Sequence, residues 1–483
     1  MRHRLSLRNL PPAERRCAMK VVPLDQGYHN SLGESLKGDT AEDILSPEFS
    51  EDRLALRFAD RHGKDLRYVA AWGKWLAWTG THWEIENTLA VFDMARKICR
   101  EVAAECNKAS ISNTIAKAKT IAAVEMLARS DRRIAATVDQ WDADPWALNT
   151  PHGIVNLKTG AVNSHRQTDY ATKVTAAGQG SECPQFLDFL TTIFARDQEL
   201  INYIQKVFGY ALTGVTLEHA LFFLHGTGAN GKSVLVSTIS GILGTYHRTA
   251  PIETFTANAI ASHPTDLAGL MGARLVTAVE TEEGRRWAES KIKSLTGGDQ
   301  ISARFMRQDF FEFTPQFKLV IAGNHKPGLR SVDEAIRRRF HLVPFSVTIP
   351  PKERDIDLAN KLRDEWPGIL QWAIEGCLKW QAEGLGRPKA VAEATAAYLE
   401  AEDAIAAWID ERCQISANHW EPRDKLFASW KAWAELAGEF VGSQKQFVEK
   451  LEARGMSSAK RHGGLRGFWG IRLIEVQTEQ HEW

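Results

Sequence analysis

The sequence predicts an α/β protein centred on a parallel sheet, and three observations carry that prediction. The stretch "LFFLHGTGANGKSVLVSTISGILG", Leu221 to Gly244, reads as an apolar strand, a glycine-rich turn and then a helix. Three later apolar runs, "RLVTAVE", "FKLVIAGN" and "FHLVPF", have strand length and strand composition, with helical segments between them. Strands alternating with helices in this way form a parallel sheet covered on both faces. Past Pro350 the chain turns mostly helical, in "GILQWAIEGCLKWQAEGL" and "AVAEATAAYLEAEDAIAAWIDERC".

Taken in order, residues up to about Glu51 are polar and rich in Gly, Ser, Asp and Pro, which reads as a leader and linker over 1–52. The opening "MRHRLSLRNLPPAERRCAMK" has no apolar segment after its twin Arg15–Arg16, so it reads as a basic arm, with Met19 as the expected true start. "LRYVAAWGKWLAWTGTHWEI" alternates like a β-hairpin turning at Gly80. "VFDMARKICREVAAECNKA" and "IAKAKTIAAVEMLARS" have helical periodicity, and "ALNTPHGIVNLKTGAVNSHR" returns to short strands broken by Gly and Pro. "CPQFLDFLTTIFARDQELINYIQKVFGYALTG" is helical up to the glycine-loop strand. The expected domains are an α/β region over 53–185, the sheet core over 186–350, a helical region over 351–412 and a C-terminal module over 413–483. No internal repeat or low-complexity tract occurs.

Composition narrows the class. At 483 residues, with 44% hydrophobic and 25% charged residues, the chain is ordinary globular material of roughly two to four domains. Its formal net charge is zero, so any hold on nucleic acid must come from local basic patches. No apolar run approaches a membrane span. Six dispersed cysteines form neither a disulfide framework nor a zinc-ligand pattern, which suits the cytoplasm.

The glycine-rich turn fits G-x-x-x-x-G-K-[ST], from Gly226 through Thr227, Gly228, Ala229, Asn230 and Gly231 to Lys232 and Ser233. Such a loop turns successive N–H groups onto phosphate oxygens, and the following helix adds its dipole. Lys232 is therefore the expected partner of the β and γ phosphates of ATP, and Ser233 a ligand of Mg²⁺. Hydrolysis also needs a carboxylate, a group that orients water and a cation for the transition state. "RLVTAVETEEG" ends its strand in Glu280 with Glu282 beyond it, while Glu283 reads as a solvated turn residue. "KLVIAGNHKP" ends in Asn324, a dipole able to orient water. "DEAIRRRF" offers Arg337, Arg338 and Arg339 as finger candidates.

That order of motifs resembles superfamily 3 helicases, and more narrowly the phage/plasmid primase–helicase family related to poxvirus-type primase–helicases. The matching stretches are "LALRFADRHGKDLRYVAAWGKWLAWTGTHW", "WALNTPHGIVNLKTG", "HGTGANGKS", "KSLTGGDQISAR", "KLVIAGNHKP" and "DEAIRRRFHLVPF", from Leu54 to Phe345. The resemblance implies an AAA+-like core in a ring, hexameric in expectation, that moves 3′ to 5′ on single-stranded DNA at a fork or origin. It implies Lys232 and Ser233 as the Walker A pair, Glu280 and Glu282 as the acids, Asn324 as the sensor, and Arg338 or Arg339 as a finger reaching a neighbouring subunit. The residues before Leu54 are too few for a primase polymerase domain, so a separate primase is an expected partner. The alternative is an origin-binding initiator ATPase that loads partners without unwinding.

Two basic stretches are candidate DNA contacts. In "KSLTGGDQISARFMRQDFFEF", Lys293, Arg304 and Arg307 interleave with Phe305, Phe310 and Phe311, and the resemblance puts a channel hairpin there. Most of those phenylalanines are expected in the core. In "KLEARGMSSAKRHGGLRGFWGIRL", a helix precedes a glycine-rich turn between strands, which suggests a winged helix whose wing carries Lys460, Arg461 and Arg466. "WDADPW" sets Asp142 and Asp144 in a D-x-D arrangement, read here as turn aspartates, not metal ligands.

Overall fold

A computed structural model describes residues 47–180, 182–257, 264–280, 285–307, 309–329, 332–452, 454–461 and 464–474. Residues 1–46 of the expected leader and linker, 1–52, lie outside the described residues, with Met19, as do Glu282 and Glu283. The fold is mixed α/β and divides into two compact units.

One unit is helical: α1 (Glu51–His62), α2 (Ala90–Glu105), α3 (Ala109–Ile115) and α4 (Ala118–Ala128). Leu54 and Phe58, Ile98 and Val102, each pair four apart on its helix, form its buried stripe with Val124. On its surface Arg57 pairs with Glu105 at 2.9 Å and Arg61 with Glu101 at 2.8 Å.

The other unit takes residues 63–88 and everything from 132 onward. Its first sheet has the order β3-β2-β1-β4, from β1 (Leu66–Val69), β2 (Lys74–Trp78), β3 (Trp83–Ile85) and β4 (Ala135–Ala136). The expected hairpin is thus a three-stranded meander. Gly73, at φ 60°, makes a second turn besides Gly80, at φ 99°. Trp83 and the nearby Trp141 are core and meet edge-on at 5.9 Å, with Trp72 and Trp78 half-buried against them; Tyr170 stacks on Trp83, and the Arg67 guanidinium lies 4.9 Å from the Trp83 ring. Next comes a three-stranded antiparallel sheet of β5 (Ala147–Thr150), β6 (Gly153–Asn156) and β7 (Val162–Asn163).

Two helices, α5 (Pro184–Ile193) and α6 (Gln198–Ala211), lead into the central sheet. Its strands are β8 (Leu221–His225), β9 (His247–Thr249), β10 (Leu275–Glu280), β13 (Lys318–Gly323) and β14 (Phe340–Pro344). All are parallel, in the order β14-β8-β13-β10-β9. Between them lie α7 (Lys232–Leu243), α8 (Pro264–Ala268), α9 (Glu289–Gly297), the hairpin strands β11 (Ile301–Ala303) and β12 (Phe311–Phe313), and α10 (Glu334–Arg339). Side chains of β8 alternate between two buried faces. Phe222 and Leu224 join the core on the α6 side, and Leu221 and Phe223 the core that holds Trp287 and Tyr398. Beyond the sheet run α11 (Leu358–Asp364), α12 (Trp366–Glu383) and α13 (Lys389–Ala401). Helices α6 and α12 touch backbone to backbone at Gly209 and Gly376, where any Cβ would strike the opposite helix.

The chain closes as helix–strand–helix–helix–strand–strand: α14 (Ala404–Arg412), β15 (Cys413–Pro422), α15 (Arg423–Leu436), α16 (Gln444–Glu452), β16 (Ser457–Lys460) and β17 (Arg466–Leu473). The strands form an antiparallel sheet, β15-β17-β16, over a core of Trp408, Trp430, Phe447 and Phe468.

Candidate nucleotide site and nucleic-acid surfaces

The central strands stop level. Pro344 of β14, His225 of β8, Gly323 of β13 and Glu280 of β10 are successive register partners. The carboxyl ends of such strands open onto the crevice where α/β sheets bind ligands. From His225 the chain enters the glycine loop, bent by Gly228 at φ 103°, Ala229 at φ 50° and Gly231 at φ 81°. Gly231 has no room for a side chain, since a Cβ there would come within 2.5 Å of Ile193 Cγ2. Asn230 is buried beneath the loop and tied to it, its Oδ1 accepting from the Lys232 N–H at 3.4 Å. The Ala229 carbonyl accepts from the Ile349 N–H at 2.8 Å. The N–H groups of Gly228, Ala229 and Gly231 have no acceptor among the described residues.

Lys232 begins α7 and is only 6% exposed. Its ammonium donates to the Gly226 carbonyl and, at 3.1 Å, to Asn324 Oδ1 just beyond β13. Burial pushes this ammonium below the ordinary lysine pKa, and its charge helps burial and Lys326 push His225 down as well. Ser233 is exposed on the first helical turn. Free loop amides, a buried cation and a hydroxyl at a helix N-terminus form a donor set that fits a polyphosphate and a hard cation. Glu280 stands at the end of β10, two strands from β8.

The arginine run falls on α10, whose N-cap Asp333 accepts from the Ile336 N–H at 2.9 Å. Arg339 is 7% exposed, and its guanidinium donates to Thr296 Oγ1 at 3.2 Å and to the Ala335 carbonyl at 3.0 Å. Arg337 is exposed and reaches Asp403 at 3.9 Å. Arg338 is exposed, with no acceptor for its side chain among the described residues. Lys293 is not on the hairpin with the other basic candidates. It sits on α9, bound to Asp333 at 2.5 Å.

Strands β11 and β12 pair from Ile301–Phe313 to Ala303–Phe311, leaving residues 304–310 as the connection. Arg304 and Arg307 are exposed there, and the Arg304 guanidinium lies 4.7 Å from the Phe310 ring. The phenylalanines expected in the core are not buried. Phe310 is 57% exposed, while Phe305 and Phe311 are half-buried and stacked on each other at 5.6 Å. The short strands give them too little cover.

Residues 55–195 match the family described as D5 N terminal like, and residues 224–339 match a family of unknown function (DUF5906). The "Putative helicase L207/L206" of Acanthamoeba polyphaga mimivirus is 27% identical over 234 residues, 44% of this chain and 24% of that protein. "Putative helicase 022R" of Frog virus 3 is 25% identical over 56% of this chain and 30% of its own length. "Putative helicase 121R" of Invertebrate iridescent virus 3 is 24% identical over 71% and 41%. The apo structure of the NrS-1 C-terminal region is similar in fold, with a TM-score of 0.50 at 9% identity over 88% of this chain and 100% of that one. Together these likenesses support a phage or viral primase–helicase-type family for the chain. It spans between 24% and 41% of the length of these curated relatives.

The second family match runs from Leu224 to Arg339 and so takes in the glycine loop, β10, the β11–β12 hairpin, β13 and α10. A cleft of about 430 Å³ lies elsewhere, lined by Asp142, Asp144, Asn149, Arg166, Tyr246 and Arg274. Its aspartates are turn residues. Asp142 accepts from the Thr172 N–H at 2.8 Å and Asp144 from the Trp146 N–H at 2.8 Å. Among the described residues no group of acidic, His or Cys side chains could hold a metal ion, and no helix is long and apolar enough to cross a membrane.

At the C-terminal hairpin Lys460 and Arg466 are register partners at its mouth. Sequence reasoning passed over Trp420 and Trp469, which flank Arg461, and Asp403. Asp403 caps α14 through the Ala406 N–H at 3.3 Å and pairs with Arg454 and Arg337. "ED" between two helical runs was the available signal for Asp403.

Proposed function

We propose that this chain is an ATP-dependent DNA helicase of a phage, prophage or plasmid-like replication module, acting as a ring and moving 3′ to 5′ along a single strand. One observation carries the reading: the Lys232 ammonium spans from the glycine loop to Asn324 across strand ends that stop level. Such an arrangement joins a phosphate-binding cation to a dipole able to orient water. The match to the D5 N terminal like family, and relatives printed as putative helicases, support it.

In this reading residues 186–350 are a superfamily 3, AAA+-like P-loop ATPase domain and 413–483 a winged-helix module. The loop from Gly226 to Ser233 holds ATP, with Ser233 and Glu280 holding Mg²⁺ and Glu282 as the second acid. Bound MgATP supplies the phosphoanhydride whose hydrolysis drives movement. Lys232 neutralises phosphate charge, and Asn324 orients water by its side-chain dipole. Arg338 is the finger, because Arg339 spends its donors inside its own subunit. A finger offered to a neighbour requires head-to-tail contacts, which close into rings, here expected to be hexameric. Arg304 and Arg307 grip single-stranded DNA.

The test is ATPase activity with and without single-stranded DNA, run beside strand displacement from a 3′-tailed duplex. Stimulated turnover and displacement, both abolished in Lys232→Ala, are expected. Turnover that no oligonucleotide alters would overturn the reading. Duplex binding restricted to one sequence, with no displacement, would select the initiator instead.

A further inference from the structure

The β16–β17 hairpin holds a guanidinium whose donors are unspent. The Arg461 guanidinium carbon lies 4.5 Å from the Trp420 ring centre and 4.6 Å from that of Trp469, two residues paired across β15 and β17. Gly467 makes room for this. A Cβ there would come within 2.5 Å of Trp420 Cζ2 and of the Glu421 carbonyl, so the indole lies directly against bare backbone. The Trp420 indole N–H is buried and has no acceptor among the described residues, so packing holds the ring without a hydrogen bond. Arg461 itself is exposed, and its side-chain N–H groups have no acceptor among the described residues. Lys460 and Arg466 flank it, both exposed and neither in an ion pair among the described residues.

Helix α16, packed in the same module, is electrically spent by comparison. Lys445 pairs with Glu449, and Gln444 donates to Asp424 at 2.9 Å. The hairpin thus gathers three exposed cations, Lys460, Arg461 and Arg466, with no ion pair among the described residues.

We infer that this hairpin binds the sugar–phosphate backbone of duplex DNA without reading its sequence, Arg461 being oriented by the two indoles to grip one phosphate through paired N–H groups. The inference rests on the reading of this module as DNA-binding and names its substrate. Stacked guanidinium is stiffened at its planar face while its N–H edge stays free, which suits two-point phosphate recognition. The indole faces that meet Arg461 are not free as platforms for unpaired bases, and stacking on aromatics is how single strands are held. A duplex offers phosphates with its bases already paired.

The test uses the full chain without nucleotide, titrated into a labelled duplex and into its single strand, with anisotropy followed over a salt series. Arg461→Lys keeps charge and fold but loses the paired donors. Lys460→Ala with Arg466→Ala removes two flanking contacts. Arg461→Lys is expected to raise the duplex Kd by about threefold to tenfold on any sequence, and the double variant to lower the salt slope by about two. Single-strand affinity is expected to stay within error. Unchanged duplex Kd and salt slope, or a loss confined to the single strand, would overturn the inference. Because no nucleotide is present, this outcome is independent of whether the chain proves to be an ATPase or a helicase.

Discussion

Lys232 and Asn324, 92 positions apart, share a 3.1 Å hydrogen bond between the ammonium and the amide oxygen. The bond links the loop after β8 to the end of β13, its neighbour in the sheet. If Lys232 binds phosphate while Asn324 orients water, the two should separate in kinetics. Lys232→Ala should lose nucleotide affinity and turnover together. Asn324→Ala should keep the nucleotide Kd within a few-fold and lower kcat by roughly a hundredfold. Equal loss of binding in both variants would contradict these roles.

The arginines of α10 should divide by where their guanidinium groups go. Arg338→Ala should remove ATPase activity and leave the urea midpoint unchanged. Arg339→Ala should cost about 2 kcal/mol of stability, because it strips charged hydrogen bonds from a buried site. Mixing Arg338→Ala subunits with Lys232→Ala subunits should restore part of the activity, since some interfaces then hold one intact loop facing one intact finger.

Asp403 joins three elements: it caps α14, binds Arg454 beyond α16 and meets Arg337 of α10. Its neighbour Glu402 accepts from the Leu329 N–H at 2.8 Å, on the loop that follows Asn324. Asp403→Ala should destabilise the chain by about 2 kcal/mol, since it leaves a half-buried arginine unpaired and a helix uncapped. Asp403→Asn, which keeps the cap, should cost less. Urea denaturation followed by tryptophan fluorescence measures both.

Two histidines make stability fall in acid. Burial pushes His341 down to about 3 and His247 to about 4, from an ordinary value of 6.5. Arg387 can only donate to His341 Nε2, so Nδ1 keeps the proton and donates to Tyr203 Oη at 2.6 Å. Above pH 6.5 both imidazoles are neutral folded or unfolded and contribute no pH dependence. Between 6.5 and about 4 only the unfolded chain takes up these protons, so stability drops as pH falls, by at most ~2.7 kcal/mol per unit. His341→Gln should halve that slope in urea titrations at stepped pH.

Much of the central sheet was legible because its strands are short apolar runs, and the glycine loop because its backbone demands glycine at fixed places. The first sheet was read one strand short, since Gly73 turns the chain within a run whose apolar pattern continues on both sides. Arg338 and Arg339 are alike in sequence and differ only through Thr296, 43 positions before Arg339. Lys293 looked available until Asp333, 40 positions on, was brought to it by folding. Partners that far apart leave no local periodicity. The same holds for Trp420 and Trp469, whose association with Arg461 depends on strand pairing.

The level strand ends have a consequence for how this crevice can change over time. Neighbouring residues of a strand point to opposite faces, so inserting one residue within β13 would advance Asn324 by about 3.3 Å and swing it through the sheet. Insertions in the connections beyond the strands leave His225, Gly323 and Glu280 abreast. Variation in length is therefore tolerable around the crevice and prohibited inside its floor, and lineages of this chain should drift in the former while keeping count in the latter.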